Sequence, residues 1–335
     1  MSYKALALQL TCQTVNASQT REDAETLMLQ AIQRIETQIA ASIGLLGRET
    51  LLVVVPEYFL TGPPVDETIE QWREKAALEI DGPVYEALSA MVQRQQIYFS
   101  GNAYEQDPFF PELYFQTSFI MGPNGDVLLR YRRLNAMYTP TPHDVWQLYI
   151  DAYGYDSLFP VVKTNIGNLA CIASEEILYP EIARCLTMRG AEVLLHSTSE
   201  VNGPLLLQRN APKIARAIEN MSYVVSANSA GIAGNPLPGN TMDGGSKIVD
   251  PKGIVLAEAG YGESLVANAD IDLAALREFR QRPAINNLLA RQRVELYAES
   301  YAKHSMYPPD TLLGQPAERS SFIKTQQEVI KKLYS

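Results

Sequence analysis

Three polar side chains end apolar segments that are typical of buried strands, and together they could carry out nucleophilic chemistry. Glu57 follows LLVVVP, Arg133 closes DVLLRYRR and Ser174 ends NLACIAS. A sheet holds the residues at its strand ends rigidly, so these positions are candidates for a functional site. A carboxyl group that is partly desolvated beside so apolar a run has a raised pKa and can act as a general base.

Ser174 is predicted to lie at a strand-to-helix turn, because the helical segment EEILYPEIAR follows it. Backbone N–H groups at such a turn can hold an oxyanion, and the hydroxyl could serve as a nucleophile. The alternative interpretation is a helix N-cap, since Ser followed by two acids is typical of a helix start. For Glu57 the alternative is an ordinary strand-end acid, and for Arg133 it is a solvated basic strand end. Cys171 lies three residues before Ser174 and should point to the opposite face of the strand as buried packing.

The elements that must position these residues alternate between strands and helices, with several two-strand hairpins among them. A purely parallel sheet would not contain hairpins, so we expect two mixed sheets packed face to face with helices outside. Residues 134–158 are predicted to be irregular, and the sequence beyond about residue 280 to be charged and helical in pieces. Since no linker divides residues 1–275, we predict one domain there and a C-terminal extension over 276–335. The predicted strands are 3–10, 51–55, 97–100, 192–198, 223–228 and 265–270, the predicted hairpins are 114–133, 161–174 and 244–259, and the predicted helices are 20–42, 83–95, 175–189 and 206–220.

Composition and charge exclude several classes of function. The 335 residues are 46% hydrophobic and 20% charged, with a net charge of −10, which is ordinary for a globular protein but unfavourable for binding nucleic acid or an anionic membrane. No stretch approaches the ~18 apolar residues of a membrane span. The three cysteines cannot all pair and show no metal-ligand spacing, so we expect no metal, no cofactor and a reducing, cytoplasmic location.

Five segments, taken in order, resemble the nitrilase superfamily of carbon–nitrogen hydrolases from about residue 4 to residue 270. VVVPEYFLTG resembles the family's Glu motif, GPNGDVLLRYRRLN its hairpin and Lys motif, and IGNLACIASEEILYPEIARCLTMRGAEVLLHST its Cys motif. RAIENMSYVVSAN and GGSKIVDPKGIVLAEAG resemble later segments of the same family. The resemblance implies an α/β four-layer αββα sandwich, which commonly dimerises to αββααββα, and a hydrolase that acts through a covalent acyl-enzyme.

Carried over residue by residue, the family's catalytic Glu, Lys and Cys fall on Glu57, Arg133 and Ser174. Only the first residue type is kept. A serine hydroxyl needs a well-placed base, and arginine stays protonated and is a poor proton shuttle. The resemblance therefore implies either a divergent serine-dependent hydrolase of small amides or nitriles, or a catalytically silent protein that binds a small amide- or carboxylate-bearing ligand. An engineered Cys-to-Ser change would explain Ser174 but not Arg133, so we favour a natural origin.

Further residues are predicted to line the substrate pocket. His143 could supply a missing base, and Asp144 stands about where many family members place a second acid. The alternative interpretation is a proline-rigidified loop in which both residues are turn formers. Glu175 offers a backbone N–H as an oxyanion donor, and Glu176 is expected only to favour the helix N-terminus. Tyr58 and His196 are further candidates. The pocket should be shaped by loops 104–113, 134–158 and 198–210, and the expected partners are a small molecule and further copies of the chain, with a purely structural oligomer as a third hypothesis.

Overall fold

The protein alternates strands and helices, as the sequence predicts. A computed structural model describes residues 2–201, 206–242 and 244–333. The strands are β1 Ser2–Ala7, β2 Thr11–Gln13, β3 Thr50–Val54, β4 Tyr98–Gln106, β5 Tyr114–Met121, β6 Val127–Arg132, β7 Val162–Thr164, β8 Gly167–Ala173, β9 Val193–Thr198, β10 Tyr223–Asn228, β11 Gly231–Ala233, β12 Lys247–Val249, β13 Val255–Glu258 and β14 Asn268–Asp272. The helices are α1 Arg21–Leu46, α2 Ile69–Ala76, α3 Pro83–Gln95, α4 Trp146–Tyr153, α5 Pro180–Met188, α6 Leu206–Asn220, α7 Leu273–Gln281, α8 Glu295–Lys303 and α9 Arg319–Leu333.

Two mixed six-stranded sheets form the centre of the fold. Their strand orders are β14-β1-β3-β4-β5-β6 and β13-β12-β10-β9-β8-β7. In the first sheet β1, β3 and β4 are parallel, and in the second β8, β9 and β10 are parallel; the outer strands of both pair antiparallel. The predicted α/β architecture of two mixed sheets with flanking helices is therefore confirmed, and the expected dimer stays a prediction.

Two large apolar cores hold the layers together. One combines residues of both sheets, such as Leu52 of β3 and Leu194 of β9, with helix residues such as Leu186 of α5. The other packs the opposite face of the first sheet, including Val53, against Ile35 of α1 and other helix residues. Since side chains alternate along a strand, neighbours such as Leu52 and Val53 serve different cores. This double burial explains why LLVVV is a continuous apolar run.

Local chemistry explains where the predicted boundaries were wrong. The helix expected directly after Ser174 begins only at Pro180, and a 3-10 turn occupies Ser174–Leu178. Proline favours the first position of a helix and disfavours helical backbone in the residue before it, so Tyr179 is extended. The segment predicted to be irregular contains α4 between two 3-10 turns, Pro142–Val145 and Tyr155–Leu158.

The C-terminal extension packs against its own domain. Leu312 and Phe322 are buried in a third apolar cluster with Phe110 and Tyr149. Their contacts join the extension to the loop before β5, which contains Phe110, and to α4, which contains Tyr149. The predicted contact of the extension with another subunit stays a prediction, and residues 202–205 of the predicted pocket loop lie outside the described residues.

Candidate active site

The two sheets bring Glu57, Arg133 and Ser174 together. Glu57 lies three residues beyond the end of β3, Arg133 directly follows β6, and Ser174 directly follows β8 of the facing sheet. Arg133 Nη1 lies 3.1 Å from Glu57 Oε1. The Ser174 side chain lies close enough to the Glu57 carboxyl to lower its pKa. Three residues chosen from separate strand ends therefore form one polar centre between the sheets.

Glu57 is a buried carboxylate with several donors around it. Its side chain is 1% exposed, and Gln116 Nε2 of β5 donates to Oε1 over 2.6 Å. Burial raises the pKa of Glu57, whereas the charge of Arg133 and hydrogen bonds from Ser174, Gln116 and Tyr58 oppose that rise. A carboxylate whose pKa is raised toward neutrality is a stronger base than a solvated one. The alternative of an ordinary solvent-facing acid is excluded for Glu57.

The guanidinium of Arg133 is committed to the protein rather than open to a ligand. Nε donates to Asn135 O over 2.7 Å, and Nη1 donates to Gln116 Oε1 over 2.5 Å as well as to Glu57. Nη2 pairs with Glu175 Oε1 at 2.7 Å. Of its five N–H donors, one therefore remains for anything else. The guanidinium pairs with two carboxylates, and the interpretation of Arg133 as a solvated strand end is wrong because it is 5% exposed.

Ser174 has a strained backbone. Its φ of +50° lies in the left-handed region, which costs a residue other than glycine roughly 1–3 kcal/mol. The side chain caps neither the 3-10 turn nor α5, so the helix-cap interpretation is wrong. Burial raises the pKa of the Cys171 thiol to about 12, and its Sγ lies 3.7 Å from Ser100 Oγ on β4 of the facing sheet. Cys171 is therefore packing, as predicted.

His196 supports the turn from behind and does not line the pocket, so this predicted role is corrected. The ring is fully buried, with Nε2 2.8 Å from Ser174 O and Nδ1 2.8 Å from Ser226 Oγ. Since a carbonyl only accepts, the proton must be on Nε2. Tyr58 is half-buried, stacks on Tyr104 with 5.9 Å between ring centroids, and lowers the pKa of Glu57; its role in lining the pocket stays a prediction.

Glu176 is a site residue whose position the sequence did not reveal. Its Oε1 accepts from the backbone N–H of Leu134 and Asn135 at 2.7 and 2.9 Å. Its Oε2 accepts from Tyr131 Oη at 2.7 Å and from Ala173 N at 3.2 Å. Burial raises the pKa of Glu176 to about 7 despite Arg133 and these donors. The carboxylate joins the chain around Arg133 to the chain around Ser174, so the expectation that it only favours a helix start is wrong.

Asp144 and His143 lie away from this centre. Asp144 accepts from the backbone N–H and hydroxyl of Thr141 at 2.9 and 2.7 Å, and from Thr311 Oγ1 at 2.6 Å. It therefore closes a proline-containing turn, as the alternative interpretation stated. Burial lowers the pKa of His143, whose ring lies 5.8 Å from Trp146 and 6.2 Å from Tyr307.

A cavity of about 760 Å³ opens beside the centre. It touches the centre through Glu175, whose side chain is 33% exposed and pairs with Arg133. The volume is within the usual range for small-molecule sites. The lining residues are Leu134, Asn135, Ala136, Met137, Thr141, His143, Asp144, Trp146, Tyr155, Leu158, Phe159, Glu175, Tyr179, Met306, Tyr307 and Gln326.

Over residues 2–201, 206–242 and 244–333, no group of three or more His, Cys, Asp or Glu side chains could hold a metal ion. In the same ranges no helix is both long and apolar enough to span a bilayer.

Comparisons with known proteins agree with this geometry. The model of the carbon–nitrogen hydrolase family matches residues 9–281. The chain is 34% identical over 167 residues to the 2-oxoglutaramate amidase of Bacillus subtilis (strain 168), an alignment that covers 50% of this chain and 60% of the relative. It is 28% identical to the deaminated glutathione amidase of Synechocystis sp. (strain PCC 6803 / GT-S), covering 84% of this chain and 95% of that one.

A solved structure shows the same fold. Nit3 of Saccharomyces cerevisiae, described as a member of branch 10 of the nitrilase superfamily, superposes with a TM-score of 0.65 at 21% identity. The match covers 84% of this chain and 93% of that chain. The family match, the two sheets and the ordered motifs agree, and the chain belongs to the carbon–nitrogen hydrolase family of the nitrilase superfamily.

Proposed function

We propose that this protein hydrolyses a small non-peptide amide or nitrile through an acyl-enzyme on Ser174, with Glu57 as the general base. The observation that carries the proposal is the position of Ser174 against a buried Glu57: burial raises the pKa of this carboxyl, and the Ser174 side chain is among the groups that lower it. The chain's relatives in the family include two proteins that are amidases by name, which supports an amide as the substrate.

Hydrolysis of an amide requires only Ser174, Glu57 and a water molecule in this proposal. Glu57 takes the proton of the Ser174 hydroxyl as Oγ attacks the amide carbon. Glu57 then gives that proton to the leaving nitrogen, the C–N bond breaks, ammonia or an amine departs, and an ester remains on Ser174. Water attacks the ester while Glu57 accepts its proton, and the acid leaves as the proton returns to Ser174 Oγ.

Arg133 acts in this proposal as a positioning residue. Its charge opposes the rise in the pKa of Glu57 and so keeps a basic carboxylate available at neutral pH. Gln116 links the two, since it donates to Glu57 and accepts from Arg133. The backbone N–H of Glu175 is the candidate oxyanion donor at the turn.

The experiment is mass spectrometry of the protein incubated with a panel of small amides and nitriles. We expect an acyl adduct on Ser174 and release of ammonia from an amide substrate, both lost in Ser174→Ala. Ser320→Ala, a change at an exposed residue of α9, is the control and should keep both. Turnover that survives Ser174→Ala would exclude Ser174 as the nucleophile.

One observation favours a second candidate function, a silent ligand-binding protein. Arg133 stands where the family has lysine, is buried among acceptors, and cannot shuttle a proton. If the site is silent, the unaltered protein should turn over none of the panel, and the double variant Ser174→Cys with Arg133→Lys should gain activity. Turnover by the unaltered protein that is abolished in Ser174→Ala would exclude this candidate.

A further inference from the structure

One wall of the cavity is a continuous series of aromatic rings. Tyr307 lies 6.2 Å from the ring of His143, and His143 lies 5.8 Å from Trp146. Trp146 lies 6.5 Å from Tyr155, which in turn lies 6.3 Å from Phe159. Because the faces of aromatic rings carry partial negative charge, such a wall attracts cations as well as apolar groups.

This wall already contacts a cation of the protein. The guanidinium of Arg189 lies 5.8 Å from the ring of Tyr155 and 5.2 Å from that of Phe159. That guanidinium also pairs with Asp156. Two rings of this wall thus already lie against a positive charge. Arg189 itself is not among the residues that line the cavity.

The charges at the cavity are unbalanced. Among the described residues that line it there are two carboxylates and neither lysine nor arginine. Asp144 is occupied by the hydroxyls of Thr141 and Thr311, which leaves Glu175 as the carboxylate that reaches the cavity from the centre. Glu175 shares the single charge of Arg133 with Glu57, so the three groups together lack one positive charge when both acids are ionised.

The pKa values of two phenols at the cavity are raised both by burial and by nearby carboxylates. The pKa of Tyr179 is raised by burial and then by the charges of Glu175 and Glu176, with Arg133 opposing. The pKa of Tyr307 is raised by burial and then by the charge of Asp144. Burial lowers the pKa of His143, so this imidazole adds no positive charge at neutral pH.

We propose that this cavity selects amides that carry a protonated amine, with the ammonium group between Glu175 and the aromatic wall and the amide directed to the polar centre. An ammonium there would restore the charge balance and contact ring faces. A ligand carboxylate would meet Glu175, and no lysine or arginine is among the described residues that line the cavity. Turnover of such an amide rests on the function proposed above, whereas its binding does not.

The test is calorimetric titration of the full-length protein, and of Ser174→Ala to prevent turnover, with three amides of similar size. The probes are 5-aminopentanamide, pentanamide and the monoamide of glutaric acid, which differ at one end by an ammonium, a methyl and a carboxylate. We expect 5-aminopentanamide to bind at least about tenfold more tightly than pentanamide, and the glutaric monoamide to bind most weakly. The preference should shrink as salt is added, because part of it is a charge interaction near solvent.

Two variants locate the preference in the structure. Glu175→Gln should reduce the ratio between the ammonium and neutral amides several-fold, and Trp146→Leu should weaken the binding of 5-aminopentanamide. Tyr261→Leu, at a tyrosine that is 82% exposed and does not line the cavity, is the matched control and should change neither.

Each outcome of the titration supports or overturns the proposal. Equal binding of the three amides, tighter binding of the carboxylate, or binding of none of them overturns the proposal. Selective binding of 5-aminopentanamide without turnover by the unaltered protein would support the cavity assignment and count against the hydrolase. Should a variant fail to fold, the ranking of the three amides by the unaltered protein still decides.

Discussion

The polar centre and the aromatic cavity are neighbours, yet they are built in different ways. The centre is formed by residues at strand ends, where Glu57 is 1% and Arg133 5% exposed and each is hydrogen-bonded to several partners. The cavity is formed by loops, turns and the C-terminal extension, and Tyr155 and Tyr179 in its wall are 54% and 43% exposed. The difference teaches that the groups able to do chemistry are fixed by the two sheets, whereas the groups that contact the rest of a ligand depend on segments outside them.

The largest effect on stability is expected from a substitution that removes the positive charge of the centre. Arg133→Met should lower the free energy of unfolding by about 3–5 kcal/mol, because it leaves Glu57 buried without its counter-charge. Urea denaturation measures this. Arg282→Met, which removes an exposed partner of Glu278, is the control and should change stability by less than about 1 kcal/mol. A loss of the same small size for Arg133→Met would mean that the centre does not depend on the pair.

A somewhat smaller effect is expected where the extension supports the cavity. Phe322 of α9 is 2% exposed in the cluster that contains Tyr149 and Leu312, so Phe322→Ala should cost about 3 kcal/mol. Ile330→Ala on the same helix, at a side chain that is 54% exposed, should cost less than about 1 kcal/mol.

Limited proteolysis would add the location of this effect. In Phe322→Ala we expect cleavage within residues 304–333 to speed up before cleavage of the two sheets does, since the cluster lies outside them. Equal acceleration everywhere would show that the extension and the sheets unfold as one unit, and the contrast between centre and cavity would then be one of position only.

The smallest effect concerns the pH dependence of Glu176. Its pKa is raised to about 7 in the folded protein, so its contribution to stability is full below the unfolded value of 4.5 and is lost as pH rises through 7. The unaltered protein should therefore lose about 2 kcal/mol relative to Glu176→Gln between pH 5.5 and pH 8. Urea denaturation at a series of pH values tests this, with the exposed Glu299→Gln as a control that runs parallel to the unaltered protein. A difference that is constant with pH would show that Glu176 keeps an ordinary pKa.

The sequence could predict the polar centre because its members follow segments with the continuous or alternating apolar pattern of strands. LLVVV, the alternation in LLRYR and NLACIA mark the ends of buried strands, and the order of five motifs identifies the sheets that bring those ends together. The continuous runs show burial directly, since a strand buried on both faces has no polar side. The sequence alone shows neither the strained backbone of Ser174 nor the pairing of Arg133 with two carboxylates.

Other residues could not be predicted because local sequence does not distinguish their environments. Glu176 has the sequence surroundings of a helix-start acid. The donors that satisfy its buried carboxylate are backbone N–H groups of residues 134 and 135, which are distant in the sequence. Gln116 lies within an apolar strand with no signal beyond its polarity, and His196 is buried by strands that are distant in sequence. Tyr307 could not be linked to His143 at all, since that contact follows from the path of the extension across the domain.

The bond between Thr311 and Asp144 spans 167 residues of chain, and this has a consequence for the order in which a newly made molecule acquires its properties. Synthesis proceeds from the N-terminus, and domains begin to fold as they emerge. The described strands of the two sheets are synthesised before Tyr307, Thr311 and Phe322. A nascent chain can therefore begin to assemble the polar centre while one side of the neighbouring cavity is still missing, and that side is completed only when the C-terminal extension packs against the domain.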